Sequence, residues 1–245
     1  MEDLDSPERI KFLRQTISTK TSLRMLYEES YGRYMRCISS CKGEGSILEM
    51  GSGGGFADEI IPSIITSDVI KYPGVDVVFD GTAFPFSDKS LKAICMLNVL
   101  HHIPDVEAFF GEVDRTLSSG GKLIILDQHN GIISRPILRL IHHERFSPNT
   151  QSWKFATGSP LSEANGALAW IVFVRDRKKF EKFFPRLKIQ RYITHTPLRY
   201  WLSGGLRSFS LLPGWGFPVA TIIDEMLVKL CPDLGSFVEI ELEKA

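Results

Sequence analysis

Residues 46–56 read Ser46-Ile47-Leu48-Glu49-Met50-Gly51-Ser52-Gly53-Gly54-Gly55-Phe56. A short apolar run passes straight into a loop made almost wholly of glycine. Apolar runs of this length fit a strand buried on both faces. Glycine lets the backbone turn tightly and come close to a bound molecule. A helix is predicted next, from near Phe56 to Ile61. Strand, glycine loop and helix in that order open an α/β sheet, and ligands of such sheets sit beyond the carboxyl ends of the strands.

The pattern continues on both sides of the loop. Residues 5–40 predict helix, with Ser6 as N-cap, Pro7 in the first helical position and Glu8 at the positive end of the dipole. Leu23, Leu26, Tyr27, Tyr31 and Tyr34 share one face. Downstream, residues 64–69, 75–80 and 91–97 predict strands two to four. The link between strands two and three is too short for a helix. Residues 105–117 predict an amphipathic helix ended by Gly120-Gly121, and 122–126 a fifth strand. A helix is expected over 134–144 and a polar, turn-rich stretch over 147–166. Another helix over 175–184 turns Phe180, Phe183 and Phe184 inward. Strand six spans 187–193, and residues 195–234 are aromatic-rich and broken by Pro and Gly. Val238, Ile240 and Leu242 alternate with Glu239, Glu241 and Glu243, which predicts a last strand whose glutamates face water or the polar side of a helix. Short apolar strands separated by helices predict a doubly wound, mostly parallel sheet.

Composition excludes two classes. The 245 residues carry 29 basic and 29 acidic side chains, a net charge of zero, without the basic excess that nucleic-acid binding calls for. With 43% hydrophobic residues the chain is far from disorder. The four cysteines form no CxxC pair, which fits buried thiols in a reducing compartment. Residues 1–5 are acidic and show no apolar signal segment, so a cytoplasmic location is expected.

The loop also selects among ligands. A dinucleotide fingerprint counted from Gly51 needs its third glycine at position 56, which is Phe. The Gly-Lys-Ser/Thr of a P-loop is absent. Glu49, just before the glycines, suits a ligand that presents an ammonium or hydroxyl group rather than a pyrophosphate.

Glu49-x-Gly51-x-Gly53-x-Gly55 resembles the first motif of class I S-adenosylmethionine-dependent methyltransferases of the type 11 group. The likeness continues through Asp68, Asp80-Gly81-Thr82-Ala83-Phe84-Pro85-Phe86, Asn98-Val99-Leu100-His101-His102 and the Gly120-Gly121 turn, and covers residues 47–127. It implies a Rossmann-like, doubly wound α/β sheet of seven strands, mostly parallel with the last antiparallel, lying between strands five and six. It implies one domain over 1–245: an N-terminal helical cap (1–42), a cofactor-binding half (43–130) and an insertion-rich substrate-binding half (131–245). It further implies S-adenosyl-L-methionine as cofactor and S-adenosyl-L-homocysteine as product. On that resemblance Glu49, Gly51, Ser52, Gly53 and Gly55 receive the amino-acid end of the cofactor. Asp68, with Val69 and Ile70, takes the ribose, and Asp80, Gly81 and Thr82 take the adenine, with Ile70 and Phe84 as apolar walls. Asn98 and Val99 lie beneath the methyl group.

Methylation of an oxygen calls for a base, and histidine is the usual choice. His101 and His129, after strands four and five, are the candidates. His102, His142, His143, Asn165 and Trp170 are candidates for the substrate pocket. No metal is expected, because His142 and His143, adjacent on a helix, point about 100° apart. Residues 159–170 are similar to a segment of bacterial methyltransferases found with surface-polysaccharide biosynthesis. The acceptor expected is therefore a small molecule, glycan or lipid-linked compound, and not nucleic acid. Residues 208–223 carry no charge and are too short to span a bilayer; they read as a folded lid or as a greasy surface for a lipid-linked substrate or membrane face. Oligomeric state is open. Two alternatives remain at this point, a protein that binds the cofactor without catalysis and a nucleotide-dependent oxidoreductase on a similar sheet.

Overall fold

The computed structural model describes residues 7–141, 144–155 and 164–245. The chain begins with α1 (Pro7–Thr19) and α2 (Thr21–Ser40), a break at Lys20 dividing the single helix expected. Then come β1 (Ser46–Met50), α3 (Ala57–Ile60), β2 (Ile64–Asp68), β3 (Val77–Val78) and β4 (Leu91–Leu97). A 3-10 turn at Leu100–His102 leads to α4 (Val106–Thr116), β5 (Leu117–Gln128) and α5 (Ser134–Leu140). The second half holds α6 (Leu168–Trp170), a π-helical turn (Ile171–Arg175), α7 (Arg177–Phe183), β6 (Leu187–His195), α8 (Arg199–Leu202), α9 (Phe217–Leu230) and β7 (Phe237–Lys244).

The strands form one sheet in the order β3-β2-β1-β4-β5-β7-β6. β1 to β5 pair in parallel, and β7 runs antiparallel to both β5 and β6. The last strand thus lies between the fifth and sixth. No helix separates β2 from β3, as the short link dictates.

Both faces of the sheet are covered, and the two-residue period of a strand sorts the side chains. Leu48, Met50, Ile94, Met96, Leu123, Ile125, Val238, Ile240 and Leu242 pack against α4, α6 and α7. Ile47, Cys95, Ile124 and Leu126 pack on the other face against Leu23, Tyr31, Tyr34 and Cys37 of α2. Glu239 and Glu241 project toward α2 as well. Arg33 Nη1 donates to Glu239 (2.6 Å), and Arg36 Nη2 donates to Glu239 (2.5 Å) and Glu241 (3.0 Å). The polar side of a helix, not water, faces those two glutamates.

Several expectations need correction. Gly120-Gly121 does not stop a helix. α4 already ends at Thr116, and the glycines lie in a bulge where Leu91 pairs with Leu117 but Ala93 with Lys122. Phe180 and Phe184 are buried, whereas Phe183 is 48% exposed. β3 shrinks to two residues, and α5 stops at Leu140. Part of the segment read as broken is the 14-residue α9. Among the described residues no helix is long and apolar enough to cross a membrane.

Candidate active site

At the carboxyl ends of β1, β2 and β4 the backbone is bent as the glycines permit. Gly51 has φ +65°, and a Cβ there would collide with the Val99 side chain. A Cβ on Gly54 would strike Leu13 and Arg14 of α1, which roofs the loop. Asn98, ending β4, holds the left-handed conformation at φ +56°, one that Asn tolerates better than most residues. Asp68 Oδ2 accepts from the Gly53 amide (3.0 Å) and Oδ1 from the Ile70 amide (3.1 Å). The ends of β1 and β2 are thereby tied together.

The loop opens on a cavity of about 750 Å³. At one end stand Glu49, Gly51, Ser52, Gly53, Gly55, Asp68, Val69, Asp80 and Gly81, with Tyr27 and Tyr31 above; Asn98 and Val99 follow. At the other end stand His101, His102, Gln128, Glu144, Tyr200, Trp201 and Phe237.

Glu49 is 3% exposed. Burial pushes its carboxyl up to about 7, against the opposing hydrogen bond from Ser52, with Asp58 and Asp68 adding to the rise. Its Oε2 and the Oδ1 of Asn98 are buried acceptors with no protein donor. Buried polar atoms are normally satisfied, so two orphaned acceptors in one cavity point to a ligand that brings donors. Asp68 is also raised, by burial first, with the amides of Ile70 and Gly53 opposing. The local excess of acid fits a cationic ligand bearing an ammonium group and hydroxyls. S-Adenosylmethionine is such a ligand, and the residues present fit it.

At the far end a buried polar set comes together. His101, 2% exposed, places Nδ1 2.6 Å from Asp127 Oδ1, and its amide donates to Asp127 Oδ2 (3.3 Å). The Gln128 amide also donates to Asp127 Oδ1, at 2.7 Å. Glu144 Oε2 lies 3.3 Å from His101 Nε2, and Oε1 lies 3.6 Å from His102 Nε2. Burial alone favours the neutral His101 ring, but Asp127 and then Glu144 outweigh it and push the ring up to about 10.

Other expected residues stand elsewhere. His129 does not line the cavity: Nδ1 meets the Tyr192 hydroxyl at 3.1 Å, and burial pushes the ring down to about 4. Asn165 is a loop brace, its Oδ1 accepting from the amides of Ser147 (2.9 Å) and Ala167 (3.2 Å). Trp170 packs against the core. Phe84 lies in that core, and its neighbour Phe79 reaches the cavity instead. Thr82 turns both its amide and its hydroxyl onto Asp80 Oδ1, each at 2.7 Å, and shapes that turn. Ile70 is half-buried outside the cavity lining. His142 and His143 lie outside the described residues, as do residues 159–163 of the segment likened to surface-polysaccharide methyltransferases. Asp127, Gln128, Tyr200, Trp201 and Phe237 were not foreseen, while Glu144 was noted only beside His142 and His143. Only Asp127 carried a signal, as an acid closing an apolar strand at the sheet's ligand edge.

Comparison with known proteins agrees with this geometry. Residues 48–125 match the family model described as "Methyltransferase domain". No curated protein matches the chain. Among solved structures, geranyl diphosphate C-methyltransferase from Streptomyces coelicolor, in complex with Mg2+, geranyl diphosphate and S-adenosyl-L-homocysteine, is similar at 15% identity. That match covers 91% of this chain and 82% of that one, with a TM-score of 0.51. The structure of a methyltransferase activator with a putative methyltransferase from Haloferax volcanii matches at 12% identity, covering 96% and 98%, TM-score 0.51. A putative methyltransferase from Bacillus halodurans matches at 15%, covering 87% and 98%, TM-score 0.50. At these identities the structural likenesses speak for the fold. The family match spans the glycine loop and the strands beside it, and the chain shares the Rossmann-like fold of these methyltransferase structures.

Proposed function

We propose that this chain methylates an acceptor, at oxygen, in the histidine-lined end of the cavity. One observation carries the reading: a single cavity joins the acidic glycine-loop end to the His101–Glu144 end without a break. When bound, S-adenosylmethionine supplies an electrophilic methyl group on a cationic sulfur. Glu49 would receive its ammonium, Asp68 and Asp80 its hydroxyls and amino group, and Asn98 would face the methyl-bearing part of it. Tyr200, Trp201 and Phe237 wall the chamber with aromatic surface and keep water from the displacement. Asp127 holds Nδ1 of His101, so Nε2 faces the chamber, as a buried Asp orients a catalytic His. The acceptor's proton passes to the Glu144 carboxylate, which His101 holds in place.

The acceptor we favour is amphiphilic, a lipid-linked compound or glycan. On α9, Val219, Ile222, Ile223, Met226 and Leu230 recur at helical spacing on one exposed stripe. Leu140, Ile141 and Phe209 are exposed too, the last two lining the cavity. Exposed apolar surface of this kind supports contact with a lipid-linked substrate or a membrane face.

Calorimetry with S-adenosylhomocysteine tests the cofactor half, and a folded sample that takes up none at millimolar ligand sinks it. A thermal shift with NAD alone would favour an oxidoreductase. Labelled S-adenosylmethionine incubated with lipid and glycan extracts tests the transfer; label that stays on bound cofactor with every extract would favour a non-catalytic binder.

A further inference from the structure

We propose that His101, His102 and Glu144 form a binding site for one divalent first-row cation, Zn(II) by preference, on the acceptor side of the cavity. The role given to that ion rests on reading this end as the acceptor pocket, whereas the ligand geometry stands without it.

One ring nitrogen from each histidine and a carboxylate oxygen of Glu144 all lie within 4.8 Å of one another. The contacts from Glu144 to the two Nε2 atoms are 3.3 and 3.6 Å. Ligands ~2.0–2.1 Å from a tetrahedral zinc stand about 3.3–3.4 Å apart, so both separations are close to those of ligands sharing one ion. Two imidazoles and a carboxylate are also the donor set of catalytic zinc sites that keep a position open, and of facial-triad iron sites.

The surroundings are those of a ligand set. A metal-binding imidazole commonly gives its other N–H to a carboxylate, and ligating carboxylates are themselves hydrogen-bonded. Here His101 gives Nδ1 to Asp127 at 2.6 Å, and Gln128 Nε2 donates to Glu144 Oε2 at 3.3 Å. Adjacent histidines diverge on an α-helix, but these two lie on the 3-10 turn after β4. Their ring centroids are 4.3 Å apart. Asn98, Gln128, Tyr200, Trp201 and Phe237 line the same cavity, and three protein ligands leave a fourth position for an acceptor hydroxyl. A cation there lowers the pKa of an oxygen bound to it. That points to acceptors with a free hydroxyl able to take the fourth position.

The test uses the full chain, stripped with a chelator and titrated with Co(II) chloride, read by visible absorption and equilibrium dialysis, then competed with Zn(II). One equivalent of Co(II) per chain, displaced by Zn(II), is expected. His102→Ala or Glu144→Gln should weaken uptake at least about 100-fold, and Asp127→Asn by about 10–100-fold. The paired His142→Asn and His143→Asn variant should keep one equivalent. Thermal melts of each variant show that the fold persists. Failure of the wild type to bind stoichiometric Co(II) overturns the site. So does wild-type uptake by His102→Ala, or loss of uptake confined to the His142/His143 variant. S-Adenosylhomocysteine calorimetry on the metal-free chain runs alongside; its failure would sink the methyltransferase reading and leave the metal count readable.

Discussion

Two glutamates are buried on the same face of the sheet, and they meet opposite fates. Glu239 on β7 is fully buried and collects three arginines: Arg33 and Arg36 from α2 at 2.6 and 2.5 Å, and Arg191 from β6 at 2.6 Å. Glu49 on β1, equally out of water, sits among tyrosines with Oε2 lacking any donor. A buried charge that is fully paired serves the structure. One left half-satisfied at the wall of a cavity is waiting for a ligand. The contrast separates scaffold from site more sharply than the residue type does.

The largest effect that would break this contrast is on stability. Glu239→Ala strips three arginines of their anion and should cost about 3–5 kcal/mol, as removal of one partner of a buried pair does; denaturant melts read it. A cost near that of a surface substitution would mean that Glu239 is not the keystone of β7. Glu49→Gln should do the reverse, leaving the unliganded chain at least as stable at pH 8 but weakening S-adenosylhomocysteine by roughly tenfold or more, as loss of a charge-assisted hydrogen bond does. Calorimetry on both variants compares the two acids directly.

The pH dependence sharpens the same point. The folded-state value for Glu49, about 7, lies above its ordinary 4.5. Between those values the folded chain holds a proton that the unfolded chain has lost, so this group's contribution to stability rises as pH falls through 7. A ligand ammonium needs the ionised form. Binding should therefore weaken by roughly tenfold from pH 8 to pH 6, following the ionised fraction. Both trends should vanish in Glu49→Gln. Smaller again is Asn165→Ala, which should cost about 1–2 kcal/mol of stability through its lost loop bonds while leaving S-adenosylhomocysteine affinity unchanged. The least effect on stability, within about 0.5 kcal/mol, is expected of Ile222→Ser on the exposed stripe of α9, where only vesicle co-sedimentation should respond.

The strands and the glycine loop at the cofactor end were legible in the sequence. Strands buried on both faces leave unbroken apolar runs, and β1 and β4 fall on the residues expected. Glycines bent at a strand end leave a local mark too. The histidine-lined end leaves a fainter mark: His101, His102 and Asp127 each follow or close a strand, but Asp127, His101 and Glu144 are far apart in the chain and meet only once β4 and β5 lie side by side. α9 escaped for another reason. It is apolar on its packed face and on its exposed face, so it has no amphipathic period, and Pro218 in its first turn read as a break although proline is at home there. His129 and Asn165 misled because position after a strand says nothing of which way a side chain turns.

The place of β7 bears on how the molecule is made. β6 reaches the rest of the sheet only through β7. During synthesis β1 to β5 can align as they appear, whereas β6 stays an unpaired edge until residues 237–244 exist. Until then Arg33, Arg36 and Arg191 have no Glu239 to converge on. Pairings between segments this distant in the chain form slowly, and open strand edges aggregate. The nascent chain is therefore most exposed to misassembly just before this strand is added, and the same step that closes the sheet also seats the part of the cavity wall that Phe237 provides.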